Sequence, residues 1–232
     1  MKFLFSFLLK LFFVFFFFNS IAYSDEYYAE YKIEVGKINI GNVSWGVSLR
    51  ENDYSTSISL KDEGVLSFVY KFEGRYEAQG RLRDNVLKAE HYSQFWKTKK
   101  KEREVKIFFE NNALKKLKIV PKEKELPRID YIGLNDYLDP LSSILNILIG
   151  SESSKVIDGR RVYSMVKTTK KSGNKKNSKR LEIKDYTNIW ADHKRNDLEY
   201  IEIFQEKTSG SFVMPHQIKI KFDGVVFVLT KN

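Results

Sequence analysis

Asp139-Pro140-Leu141-Ser142-Ser143-Ile144-Leu145-Asn146-Ile147-Leu148-Ile149-Gly150 is the stretch that decides the fold, because it reads as a helix in a chain otherwise patterned as strands. Asp139 suits the N-cap, where its carboxylate can accept from free backbone N–H groups. Pro140 suits the first turn, since the N–H it lacks would be unpaired there. Gly150 ends the run. The positions between are apolar almost all round, so such a helix needs cover on most sides. Among strands, that cover is a sheet curving around it.

Working outward, period-two alternation fills both flanks. Before the helix it predicts strands at Tyr27–Val35, Val43–Arg50, Tyr54–Lys61, Tyr70–Gln79, Leu87–Lys97, Glu104–Glu110 and Ala113–Val120. Gly36, Gly41 and Gly46 punctuate the stretch that follows the first strand, marking turns, a bulge or tight backbone approach. Pro121 to Tyr137, with two prolines and mixed charge, reads as a loop. After the helix come Val156–Ile157, Arg161–Lys167, Leu181–Trp190, Leu198–Gln205, Gln217–Phe222 and Val225–Thr230, the last two joined by an Asp223-Gly224 hairpin signal. Lys170 to Lys179 has no apolar residue and reads as a long hairpin loop. The expected fold is mainly β: a strongly curved antiparallel sheet, or half-open barrel, wrapping one principal helix at 139–150 and following an N-terminal signal helix.

That leader is read from three features. Lys2 is a positive start, Phe3 to Phe18 is an apolar run broken by Ser6 and Lys10, and Ala22-Tyr23-Ser24 is a small-residue cleavage pattern. The expectation is a signal peptide at 1–24, removed on export to the periplasm, and a single β-rich domain at 25–232. The uninterrupted run Leu11 to Phe18 falls well short of the roughly 20 apolar residues a spanning helix needs. Counted through Lys10, an uncleaved N-terminal anchor is the alternative. The chain has no cysteine, which excludes disulfides, thiolate metal sites, a thiol nucleophile and a lipid-modified cleavage site.

The net charge is +10. Such a balance suits nucleic acid, anionic head groups or an acidic polymer. Lysine greatly outnumbers arginine here and Ile, Asn and Phe abound, the look of an AT-rich genome, so the charge assigns no specific partner, and an exported protein is not expected to meet nucleic acid. The densest basic stretch, Lys170, Lys171, Lys175, Lys176 and Lys179, is a candidate anion or membrane-surface patch, since lysines gain about 1 kcal/mol each near an anionic leaflet. No aromatic or apolar wedge accompanies it, so a solvated loop accounts for it better. Lys97 to Lys101 with Arg103 looks like a hairpin end.

Catalytic signals are sparse. His91, His193 and His216 lie far apart with no zinc-binding spacing, so no metal or cofactor is expected. There is no G-x-S-x-G elbow, and Ser142 and Ser143 fall where serine commonly starts a helix. Arg160 and Arg161, after an Asp158-Gly159 turn, could fork onto a phosphate or carboxylate. The structural reading is that an arginine here pairs with an internal acid such as Asp139, so that Asp139, Pro140, Arg160 and Arg161 cap the helix and lock the sheet to it.

Three motifs in order carry a resemblance: Tyr31 through Trp45 (YKIEVGKINIGNVSW), Asp139 through Leu145 (DPLSSIL) and Asp158 through Tyr163 (DGRRVY). Together they resemble the proteobacterial family catalogued as domain of unknown function 3108. The resemblance implies a signal-bearing, periplasmic protein of a Gram-negative bacterium and brings no established activity. The leading functional expectation is a non-enzymatic envelope protein that binds an apolar or amphipathic ligand, or a partner, on the curved sheet, with peripheral membrane contact. The alternative is a structural or assembly factor acting through protein contacts, and behind it a hydrolase. A helix filling the concavity completely would sink the first.

Overall fold

The computed structural model describes residues 24–62, 71–168, 178–190, 197–206 and 212–232. Among them, fourteen strands form one sheet. The first seven are β1 (Ser24–Val35), β2 (Ile38–Arg50), β3 (Asp53–Asp62), β4 (Phe72–Arg83), β5 (Val86–Thr98), β6 (Glu102–Glu110) and β7 (Ala113–Val120). The two-residue β8 (Tyr137–Leu138) and the helix α1 (Pro140–Ile149) follow. The remainder are β9 (Ser153–Ile157), β10 (Arg161–Thr168), β11 (Ser178–Asn188), β12 (Leu198–Phe204), β13 (Gln217–Phe222) and β14 (Val225–Lys231). Sequence neighbours lie side by side except β7 and β8, which stand at the two ends of the order, and β1 pairs with β14 to join the two meanders. All pairings are antiparallel except β8 with β9. Gly41 is a point of tight backbone approach, since a Cβ there would stand 2.5 Å from the Lys61 carbonyl oxygen.

Alternation sorts the two faces. Val47, Thr56, Ala78, Tyr92, Ile107 and Leu117 lie opposite one another from β2 to β7 and form an inward row, all buried or half-buried. Thr56 can sit in it because its hydroxyl accepts from the Trp45 indole at 2.9 Å and donates to the Gly46 carbonyl at 3.1 Å. The sheet is nearly closed. Helix α1 packs on β9 near one edge and on β3, β4 and β5 in the other half, which only a strongly curled sheet permits.

The segment expected as a plain loop helps complete the ring. Leu114 N–H donates to the Leu134 carbonyl, Gly133 N–H to the Leu114 carbonyl, and Asp136 N–H to the Asn112 carbonyl, at 3.0, 2.9 and 3.0 Å. Ala113 and Asn135 thus form an antiparallel bridge, and the chain runs on into β8. These bonds occupy the start of the β7 edge, and the rest of that edge carries Lys115, Lys116 and Lys118, which discourage strand addition.

Helix α1 fills one half of the interior. Asp139 Oδ1 accepts from the N–H groups of Leu141 and Ser142, both at 3.0 Å, and Oδ2 accepts from the Ser142 hydroxyl. That hydroxyl has spent its only proton, so the Tyr54 hydroxyl donates to it at 2.6 Å. Farther along, Asn146 Oδ1 accepts from Leu87 N–H, and the Leu148 carbonyl from the Lys179 ammonium. Ten helical residues span about 15 Å. The longest strands have thirteen residues, about 43 Å along the chain. Even with strands tilted as barrels require, the helix is too short to fill the lumen.

The register separates two mouths. At the plugged mouth lie the turns Glu51-Asn52, Asp84-Asn85 and Asn111-Asn112. At the open mouth lie Gly36-Lys37, Lys99 to Lys101, Asp158 to Arg160 and Asp223-Gly224.

Candidate functional site: the open half of the barrel

Beyond the first turn of α1 a cavity of about 490 Å³ opens toward the second mouth. Its floor is Pro140 and Leu141. One wall is built by register alone. Ile58, Tyr76, Gln94 and Val105 face one another across β3 to β6, and one step nearer the mouth so do Leu60, Gly74, Trp96 and Arg103. Gly74 contributes no side chain to that second row, and the rings of Tyr76 and Phe72 close over it, 3.0 and 3.3 Å from where a Cβ would stand. The opposite wall is Tyr163 and Arg161, and Phe222 stands at the rim.

Two ionic groups ring this space. Glu123 Oε1 takes both Arg103 Nη1 at 2.6 Å and Arg160 Nε at 3.0 Å, joining β6 to the β9–β10 turn. Arg161 is held by Asp158 at 2.9 Å, Asp197 at 3.3 Å and the Tyr186 hydroxyl at 2.7 Å. A second cavity of about 390 Å³ lies under the Pro121–Glu125 segment and shares Arg103, Arg160 and Arg161 with the first. The arginines therefore stand between the two spaces. The turn that carries two of them is wedged into the far side of the ring, because a Cβ on Gly159 would lie 2.5 Å from Val105 Cγ1.

Burial pushes the hydroxyls of Tyr76 and Tyr186 up to about 12. It drives those of Tyr92 and Tyr163 well above their usual value too. These phenols stay protonated near neutral pH and serve as hydrogen-bond donors rather than bases. Asp139 is fully buried, and desolvation raises its carboxyl to about 6 against the pull of its own hydrogen bonds. The arrangement offers a partly apolar chamber with a charged collar, which is binding chemistry.

The sequence-selected residues are placed as follows. Asp139 caps α1 and Pro140 opens it. The expected pairing of Arg160 with Asp139 is not made. Asp139 spends its acceptors on the helix's own donors deep inside, while Arg160 sits at the mouth and reaches Glu123. Arg161 pairs with Asp158 and Asp197 within the second meander, so it is Arg160, through Glu123 and Arg103, that joins the two sides of the mouth, and neither arginine ties the helix to the sheet. Lys170, Lys171, Lys175 and Lys176 lie outside the described residues, and Lys179 belongs to β11. His91 lies tilted against the Phe108 ring and His216 tilted near the Phe204 ring, while His193 lies outside the described residues. Among the described residues no three His, Cys, Asp or Glu side chains gather to hold a metal ion, and no helix is long and apolar enough to cross a membrane.

Sequence reading did not select Leu60, Trp96, Arg103 and Glu123. The available signal was the inward parity of Leu60 and Trp96, continued onto Arg103 beyond a hairpin that looked merely solvated.

Residues 30–171 match the family described as "Protein of unknown function (DUF3108)", a span containing all three motifs. No curated protein matches the chain. Among solved structures, one similar chain is a β-barrel-like protein of domain of unknown function DUF1849 from Brucella abortus. It is 9% identical, the alignment covers 88% of this chain and 95% of that one, and the TM-score is 0.48. With its matched span running from the first strand past the DGRRVY turn, the chain belongs to the DUF3108 family.

Proposed function

We propose that this protein is an exported, non-enzymatic envelope protein that holds an amphipathic molecule in the open half of its barrel. The observation that carries the reading is the cavity of about 490 Å³ left where α1 stops, walled by Leu60, Tyr76 and Trp96 and collared by paired arginines and carboxylates. Its size falls within the range of about 300–1,000 Å³ usual for small-molecule sites. An apolar chain fits the wall, and a polar head meets the collar. Export rests on the leader pattern of residues 1–24.

The test is native mass spectrometry with lipid extraction on protein taken from the periplasm, followed by titration with a fluorescent fatty acid read through Trp96. A co-purifying amphipath, and saturable binding lost in a Leu60→Trp variant that fills the cavity, is the expected result. A clean apo mass with no saturable binding overturns the reading, and so does equal binding by Leu60→Trp. The assembly-factor alternative has less support, since the β7 edge is partly occupied and otherwise lysine-rich.

A further inference from the structure

We propose that the open mouth is a docking face for an anionic bilayer surface, so that the cavity's ligand passes directly between membrane and barrel. The purpose of the face rests on the cavity reading above, but the observations behind it are separate.

The first is apolar exposure concentrated at this end. The β1–β2 and β13–β14 hairpins are neighbours, because Val35 pairs with both Ile38 and Phe227. Their ends present Ile38 at 57%, Val225 at 39% and Phe222 at 37% exposure, and Leu126 on the segment after β7 stands 86% exposed. Phe222 also lines the cavity, so the apolar lip is continuous with the chamber behind it. At the plugged mouth the described turns themselves carry Glu, Asp and Asn, and the exposed apolar side chains beside them are Val86 at 49% and Ile132 at 51%.

The second is charge. Lys37, Lys71, Lys100, Lys101, Lys122 and Lys124 are all exposed around this mouth. Of its acids, Glu102 pairs with Lys97, Glu125 with Arg128, Glu199 with Lys221 and Glu123 with two arginines, which leaves Asp62 and Asp223 against the six lysines. Lysines around exposed apolar tips match the two attractions of an anionic leaflet, head-group charge and a shallow apolar layer beneath it. A protein partner would need a shape-matched apolar patch, whereas scattered tips ringed by lysine suit a fluid surface.

The test is co-sedimentation of the purified protein with vesicles of phosphatidylcholine alone or mixed with phosphatidylglycerol. Binding to the mixed vesicles, weakened by salt, is expected. Ile38→Asp/Val225→Asp should abolish it, and Lys100→Glu/Lys101→Glu should weaken it by at least about tenfold. Both variants should keep the parent's circular dichroism and bind the fluorescent fatty acid in vesicle-free solution. No binding to phosphatidylglycerol vesicles, an unchanged Ile38→Asp/Val225→Asp variant, or loss of binding on Lys170→Glu/Lys171→Glu instead would overturn the proposal. Vesicle binding without fatty-acid binding would remove the cavity reading and leave the docking face standing.

Discussion

Asp139 and Gly159 show how far single residues act here. Asp139 is more basic folded than unfolded, its carboxyl rising to about 6 through desolvation. The folded protein therefore binds a proton more readily, and the stability this contributes is present below the unfolded value, near 4, and lost as pH rises to about 6. Asp139→Asn keeps an oxygen for the two backbone donors, so it should flatten the fall between about pH 4 and 6 in urea midpoints, whereas Asp139→Ala should cost about 1–2 kcal/mol at any pH for the lost cap. Gly159 has φ +89° and no space for a Cβ against Val105. Gly159→Ala should cost about 2–4 kcal/mol by equilibrium denaturation, from backbone strain and overpacking together. In a Val105→Ala background part of that cost should vanish, while the backbone part stays.

At the scale of the element, α1 is a plug whose grip comes from its core-facing side chains. Leu145 and Ile147 are wholly buried between the sheet's two flanks. Leu145→Ala should lose about 2–5 kcal/mol, measured as a shift in the urea midpoint, because neighbouring strands held by their own ladders cannot collapse into the space. The Pro121–Tyr137 segment is an element in its own right. Its Glu123 bridges two arginines, and its 133–136 stretch pairs with β7. Glu123→Gln removes the shared carboxylate and should leave the fold intact. It should change fatty-acid affinity far more than thermal stability, since these ion pairs are partly solvated and individually weak.

At the scale of the whole molecule, the first and last described strands join the two meanders into one sheet. β1 meets β14 from Tyr31 opposite Lys231 to Val35 opposite Phe227. Asn232 N–H reaches the Glu30 carbonyl at 2.9 Å. Deleting 225–232 would open the edges of β1 and β13 together, and the truncated chain is expected to aggregate rather than fold, as gel filtration and circular dichroism would show. A ligand that fills the chamber stabilises only the closed ring, so saturating fatty acid at about a hundred times its Kd should add about 2.7 kcal/mol, absent in Leu60→Trp.

The strands, the capped helix and the curling of sheet around it were legible in local pattern. Alternation in β1 through β7 assigns each side chain a face, and Asp139, Pro140 and Gly150 punctuate a run too apolar to stand uncovered. The three motifs carried the family as well. The chamber was not legible, because it follows from a comparison no window of sequence makes, a ten-residue helix inside strands of up to thirteen. Nor was the partner of Arg160. Whether it meets Asp139 or Glu123 depends on how far the β9–β10 turn travels around the ring before it abuts Val105, and only the closed tertiary structure sets that distance.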